Sequence, residues 1–207
     1  MAARKVLTRA ESQARTRESL VDAAQQLFLV DGYHATSIAA IAAEAGRTIG
    51  AVYSNFDNKE ALCFEVIRRH LNGELAKLMS AMVAAPDDLE SRLAILPNWW
   101  ARVSGDTAFI TLAAEYLITT FREPSQRAAT KDLLDRMTES GRSLLADYLP
   151  EGVPADSPLM DSAILAVFAT GTGLAVARAA DAISRDESAE LLSDTIRLWL
   201  TRLAEAA

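Results

Sequence analysis

The stretch Thr36-Ser37-Ile38-Ala39-Ala40-Ile41-Ala42-Ala43-Glu44-Ala45-Gly46-Arg47-Thr48-Ile49-Gly50-Ala51-Val52-Tyr53-Ser54-Asn55-Phe56 decides how this chain is read. Gly46 interrupts it, leaving room for only about two helical turns on either side. Thr36 is expected to cap a helix over 37–44 that Gly46 closes, and Thr48 to cap a second over 49–55. Both hydroxyls suit that place, because they accept from backbone N–H groups that find no partner within the helix. Helices this short are marginal alone. They persist when each buries one face, and the spacing sets Ile38, Ile41, Ala42 and Ala45 against Val52 and Phe56, over Leu27 and Phe28. Two short helices joined by a glycine turn have the build of a helix-turn-helix.

Outward from this stretch nearly every window favours helix, since Ala, Leu, Glu, Arg and Gln dominate and period-two alternation is hard to find. A helix over 10–31 precedes it, with Leu20, Ala24, Leu27 and Phe28 on one face and a stop at Asp31-Gly32. Another follows from Asp57, paired with Glu60 as a capping box, and carries Leu62, Val66, Leu71, Leu75, Leu78 and Met82 to about residue 84. Pro86 ends it. Longer helices are expected over 88–103, 106–121, 125–149, 158–182 and 187–204, punctuated by Gly105-Asp106, Glu123-Pro124, Pro150 to Pro154, and Ser184 with Glu187. The expectation is an all-α protein of about nine helices, divided into residues 1–57, a connecting helix over 58–84, and a helical domain over 85–207.

Of the 207 residues half are apolar and 24% are charged, which suits a chain folded throughout. One cysteine, Cys63, forms no internal disulfide, and with His34 and His70 it makes no zinc set. No metal or cofactor is expected, and no nucleophile with an acid–base partner is assembled, so an enzyme is not expected. No unbroken apolar run of membrane length and no leader-like start is apparent, so a soluble, cytoplasmic chain with no membrane partner is expected. The net charge of −7 argues against a polyanionic partner until its distribution is read. Residues 1–62 hold seven basic and seven acidic side chains, and residues 1–17 hold five against one. All the net negative charge therefore lies beyond residue 62, and a polyanion would be repelled everywhere but at one end.

The run Ala23-Ala24-x-x-Leu27-Phe28-x-x-x-Gly32-Tyr33-x-x-Thr36-Ser37-Ile38-x-x-Ile41-Ala42-x-x-Ala45-Gly46-x-Thr48-x-Gly50-x-Val52-Tyr53-x-x-Phe56-x-x-Lys59-Glu60-x-Leu62 resembles the DNA-binding domain of the TetR family. The resemblance implies a transcriptional regulator, usually a repressor, that binds a palindromic double-stranded DNA operator as a homodimer and is released by a small-molecule effector. Its DNA-contacting positions would be Thr36, Arg47, Thr48, Ile49, Gly50, Ala51, Tyr53, Ser54, Asn55 and Lys59. Helix N-termini near Thr36, Thr48 and Asp57 offer unpaired N–H groups to phosphates, and a phosphate would relieve Lys59 of its unfavourable place in a helix's first turn. Gly50 allows close backbone approach, and Tyr53 faces outward beside the buried Val52. Base reading falls to Ile49, Ala51, Ser54 and Asn55, with Arg47 at the turn. Asparagine suits adenine, and Ala or Ile a thymine methyl. The family commonly has a basic residue where Ile49 stands and a small hydrophobe where Arg47 stands, so one positive contact has moved into the turn. Arg15 and Arg17 either add phosphate or minor-groove contacts or form a solvated helix start.

For the effector, the aromatic-rich region proposes Trp99, Phe109, Glu115, Tyr116 and Phe168 as pocket residues; Glu115 either meets a cationic group or lies on a Thr111-Glu115-Thr119 solvent face. The last two helices are apolar around much of their girth, and Phe168, Gly171, Leu192, Ile196, Trp199 and Leu203 are the candidates for pairing with a second copy. Burial inside one subunit explains the same pattern. The alternative function is a helical ligand carrier or protein-interaction scaffold with weak DNA affinity, which the acidic charge keeps open.

Overall fold

The computed structural model describes residues 8–121, 124–145 and 156–206. All regular structure among them is helical: α1 (Arg9–Asp31), α2 (Ile38–Glu44), α3 (Ile49–Tyr53), α4 (Lys59–Ala84), α5 (Leu89–Leu93), α6 (Leu96–Val103), α7 (Thr107–Thr120), α8 (Pro124–Leu145), α9 (Pro158–Ala179) and α10 (Arg185–Glu205). The all-α expectation holds, with one helix more than the sequence suggests. The residues fall into two compact units, one formed by residues up to 70 together with 111–126, the other by 71–110 and 127 onward. The boundary passes through α4 and α7, so the division at residues 57 and 84 drawn from the sequence is not the one the packing draws.

In the first unit α1 begins with a full capping box, Thr8 Oγ1 accepting from the Glu11 N–H and the Glu11 carboxylate from the Thr8 N–H. Its inward face buries Leu20, Val21, Ala23, Ala24 and Phe28, and it stops at Gly32, whose φ of 83° is one that glycine adopts without strain. The cap of α2 is Ser37 and not Thr36. Thr36 is buried and donates its hydroxyl hydrogen to Gly32 O at 2.8 Å, one turn back. Gly46, at φ 62°, lets the chain reverse, and the Arg47 N–H closes the turn on Ala42 O at 2.8 Å. Thr48 caps α3 as expected, accepting from the Ala51 N–H. At the start of α4 the acceptor is Asn58 Oδ1, 2.7 Å from the Ala61 N–H, so the Asp57–Glu60 capping box does not form. The two short helices gain their hold from Ile41, Ala42 and Val52, which are buried, as are Leu20 and Phe28 of α1 and Leu62 of α4, while α2 packs on α1 and α3. Each large aliphatic or aromatic side chain removed from water in this way contributes about 2 kcal/mol.

In the second unit the helix expected over 88–103 is two helices. Asp88 caps α5, which ends at Leu93, and α6 restarts with Pro97 in its first turn, where a residue lacking an N–H is tolerated. α10 packs against α9 and α6. Trp100 of α6 donates its indole N–H to the buried Ser188 of α10 at 2.7 Å, and a Cβ at Gly171 of α9 would stand 3.5 Å from the Trp100 ring. Arg178 of α9 reaches the end of α6, donating to Ala101 O and Ser104 Oγ. Met160, Ala163 and Leu203 form a buried cluster edged by Leu159, Ile164 and Trp199. The capping box expected at Ser184 and Glu187 is present. The stretch 146–149, expected to end the helix over 125–149, lies outside the described residues.

Candidate nucleic-acid interface

The candidate surface is built on α3. Its Val52 is fully buried, which fixes the helix's roll and turns its other side outward. Ile49 is 48% and Tyr53 56% exposed, values unusual for such large side chains in a folded head. Arg47, Thr48, Gly50 and Ser54 are exposed beside them, and Ala51 is half-buried. Seven of the ten positions named from the sequence, Arg47 to Ala51 with Tyr53 and Ser54, are therefore exposed or half-buried on α3 and the residues that flank it. Arg47 is held loosely, its Nε 3.4 Å from Ser19 Oγ.

The other three are placed differently. Thr36 is buried, as described, and its hydroxyl is engaged. Lys59, expected to reach a phosphate, turns inward: its ammonium donates to Tyr33 O at 2.8 Å and Thr36 O at 3.0 Å, and lies 4.2 Å from the centre of the Tyr33 ring. A lysine in the first turn of a helix escapes the unfavourable dipole by meeting carbonyls, here those of the α1–α2 corner, and no external anion is needed for that. Asn55 is half-buried, and its side-chain N–H₂ donates to Ala51 O at 2.8 Å, one turn back along α3. An amide bonded to its own helix is a poorer reader of adenine than a free one.

Arg17 shows why the sequence could not separate arm from core. Its guanidinium donates to Asn55 O at 2.8 Å, lies 4.1 Å from the centre of the Phe56 ring, and approaches Glu65 Oε2 at 3.5 Å. It ties α1 to the end of α3 and to α4; Arg15 stays exposed. Burial pushes the Glu65 carboxyl up, but hydrogen bonds and charge from Arg68 and Arg17 outweigh it and hold the group below its ordinary value. Beneath this layer Tyr33 is buried, donates its hydroxyl hydrogen to Glu60 Oε1 at 2.8 Å, and has its phenol pushed up by burial and by that carboxylate. Burial likewise pushes the Cys63 thiol up to about 12, so it is a packing residue. Ser37 and Asn58, missed in the sequence, are the working caps; each lay one residue beyond the one chosen.

The residues proposed for an effector divide between the units. Trp99, Phe109 and Phe168 belong to the second, where Phe109 is buried and the Trp99 indole N–H donates to Glu74 O at 3.3 Å. Glu115 and Tyr116 belong to the first, Tyr116 buried with its ring 6.0 Å from that of Phe64, and Glu115 hydrogen-bonded to the Tyr33 backbone. Of the residues proposed for pairing with a second copy, Gly171, Leu192 and Leu203 are buried within the subunit, while Phe168, Ile196 and Trp199 are half-buried. The apolar side chains that α9 and α10 leave in water are Leu165 at 58%, Val176 at 50%, Leu191 at 48% and Leu198 at 67%. By length and composition α9 is also apolar enough to cross a membrane, with a mean hydropathy of 1.6 over an 18-residue window of which 17% is buried.

Residues 20–66 match the model of the bacterial regulatory proteins, tetR family. The chain is 33% identical over 78 residues to the HTH-type transcriptional repressor ComR of Escherichia coli, covering 38% of this chain and 37% of that protein. Across the curated relatives it matches, the aligned stretch spans between 37% and 66% of their own length. Among solved structures, a TetR-family regulator from Mesorhizobium loti superposes with a TM-score of 0.67 at 20% identity, over 95% of this chain and 98% of that one. The fatty acid degradation regulator FadR of Bacillus halodurans gives a TM-score of 0.66 at 21% identity, over 95% and 97%. Residues 20–66 are thus similar to the head of the tetR family, and the fold is shared with these structures over nearly the whole chain.

Proposed function

We propose that this chain, which carries the tetR-family head, is a one-component transcriptional repressor. As a homodimer it grips a palindromic operator through two copies of α3 and leaves it when a small molecule binds the second unit. The observation that supports this reading best is the roll of α3: Val52 buried at 0% exposure beneath Ile49 and Tyr53, with Arg47, Thr48 and Ser54 exposed around them. Such a face suits a major groove, where Tyr53 and Arg47 meet phosphates and Ile49, Ala51 and Ser54 lie against base edges. Lys59 and Thr36 position these residues from behind, through Tyr33 and the α1–α2 turn.

The second copy is the proposed occupant of the bare face of α9 and α10. Leu165, Val176, Leu191 and Leu198 would be covered by their own counterparts, and so would the apolar length of α9. Two-fold pairing of four helices is a common solution for such surfaces. In the second unit Trp99, Phe109 and Phe168 remain the proposed effector contacts. Footprinting on the region upstream of the chain's own coding sequence tests the reading: two protected half-sites should appear, their centres about one helical turn of DNA apart or a multiple of it. A single protected site, or none, would overturn the dimeric repressor.

A further inference from the structure

Glu115 is placed by the sequence either in a ligand pocket or in solvent, and the structure gives its carboxylate a third setting. Oε2 accepts the Tyr33 backbone N–H at 2.8 Å, and both carboxylate oxygens stand 3.6 Å from where a Cβ of Gly32 would lie. This is the C-terminal end of α1, whose last turn contains no basic residue and ends in Asp31. Aligned peptide dipoles make that end negative, so an anion is unwelcome there unless a specific donor holds it. Tyr33 is that donor, and it is gripped on every polar group: N–H by Glu115, carbonyl by Lys59, hydroxyl by Glu60, with the Lys59 ammonium over its ring. Lys59 also holds Thr36 O, one residue before the Ser37 cap of α2. The corner at 32–37, from which α2 and then α3 lead, is therefore held from α4 by Lys59 and from α7 by Glu115. α7 continues without interruption back to Thr107 in the second unit, through the buried Phe109.

We propose that Glu115 is a positioning residue that sets the register of α7 against the α1–α2 corner, so that displacement of α7 is felt by the reading surface. The proposal rests on the repressor reading and names the side chain that carries its regulation. A carboxylate on one backbone N–H is a directional joint: sliding α7 by a fraction of a helical turn breaks it, whereas apolar packing tolerates such slippage.

Linkage supplies a test that needs no effector, because whatever couples the second unit to the head must also couple the head to the second unit. All three tryptophans, Trp99, Trp100 and Trp199, lie in the second unit. A fluorescein-labelled upstream duplex reports binding by anisotropy, while tryptophan emission and amide exchange over 107–120 report the second unit and α7. In the unaltered chain, added duplex should change emission and slow exchange in α7. In Glu115→Ala and Glu115→Met, the latter keeping side-chain length without an acceptor, affinity should fall by about tenfold or less, since no phosphate contact is lost. The emission and exchange responses at saturating duplex should vanish, and Glu115→Gln should restore part of them. Glu115→Met keeps the test valid if the alanine variant unfolds. A duplex-saturated Glu115→Met with the full response of the unaltered chain would overturn the role of Glu115, as would an unaltered chain that binds without any response. Absence of an anisotropy change in the unaltered chain would instead sink the repressor reading.

Discussion

The two units are held by different physics. In the first, helices of five and seven residues bury Ile41, Ala42 and Val52 and are fixed further by polar joints to backbone: Ser37, Thr48 and Asn58 at helix starts, Arg17 on the end of α3, Lys59 and Glu115 on the α1–α2 corner. In the second, α9 and α10, of 22 and 21 residues, pack together and α10 also meets the eight-residue α6, with a few buried bonds such as Trp100 to Ser188, and four large aliphatic side chains of α9 and α10 remain in water. Directional bonds keep a small head rigid while leaving its outer face free. Apolar faces are not directional, and here they leave Leu165, Val176, Leu191 and Leu198 exposed.

The largest expected effect breaks the second kind of attachment. Leu198→Asp places a charge on the most exposed of the four apolar side chains, and sedimentation should find a monomer whose affinity for the upstream duplex is down at least 100-fold. A dimer of unaltered affinity would show that the bare face is not the interface. Next comes the head. Lys59→Ala leaves Tyr33 O and Thr36 O without a charged donor, and urea unfolding should show a loss of about 2 to 3 kcal/mol. A smaller loss, about 1 kcal/mol, is expected for Thr48→Ala, which removes the cap of α3.

The smallest effect is one of pH, and it separates a polar joint of the second unit from its apolar packing. Glu74 is 8% exposed; burial pushes its carboxyl up, but hydrogen bonds and charge from Lys77 and Arg102 outweigh it and the group sits below its ordinary value of 4.5. A carboxyl lowered on folding stabilises the fold above its unfolded value, and that contribution is lost as pH falls through the folded value. Stability should therefore decline below about pH 4.5, and Glu74→Gln should flatten part of that decline in unfolding curves taken at successive pH values.

The sequence made most of the fold legible, because glycine turns and apolar periodicity are local signals. Gly32 and Gly46 mark their turns, and Ile41, Val52 and Leu62 are buried as their spacing requires. What it obscured were choices between adjacent candidates and between partners far apart in the chain. Thr36 and Ser37 are equally good caps on paper, and only the bond from Thr36 to Gly32 O decides between them. The break at Pro97 was readable and was missed. Lys59 and Glu115 find their partners 26 and 82 residues away, at Tyr33, which no spacing rule connects. The outer face of α3 was legible because one buried residue, Val52, dictates the rest of a short helix.

The most direct test of DNA reading by this head is the salt dependence of its affinity for the upstream duplex. The expected result is a linear fall of log affinity with log salt, on the order of 1000-fold between 50 and 200 mM if about six phosphates are met. The slope should be shallower by about one when Arg47 is replaced by alanine, whereas Tyr53→Ala, which removes no charge, should lower affinity with the slope unchanged. Affinity that stays flat across that range would contradict a phosphate-gripping head.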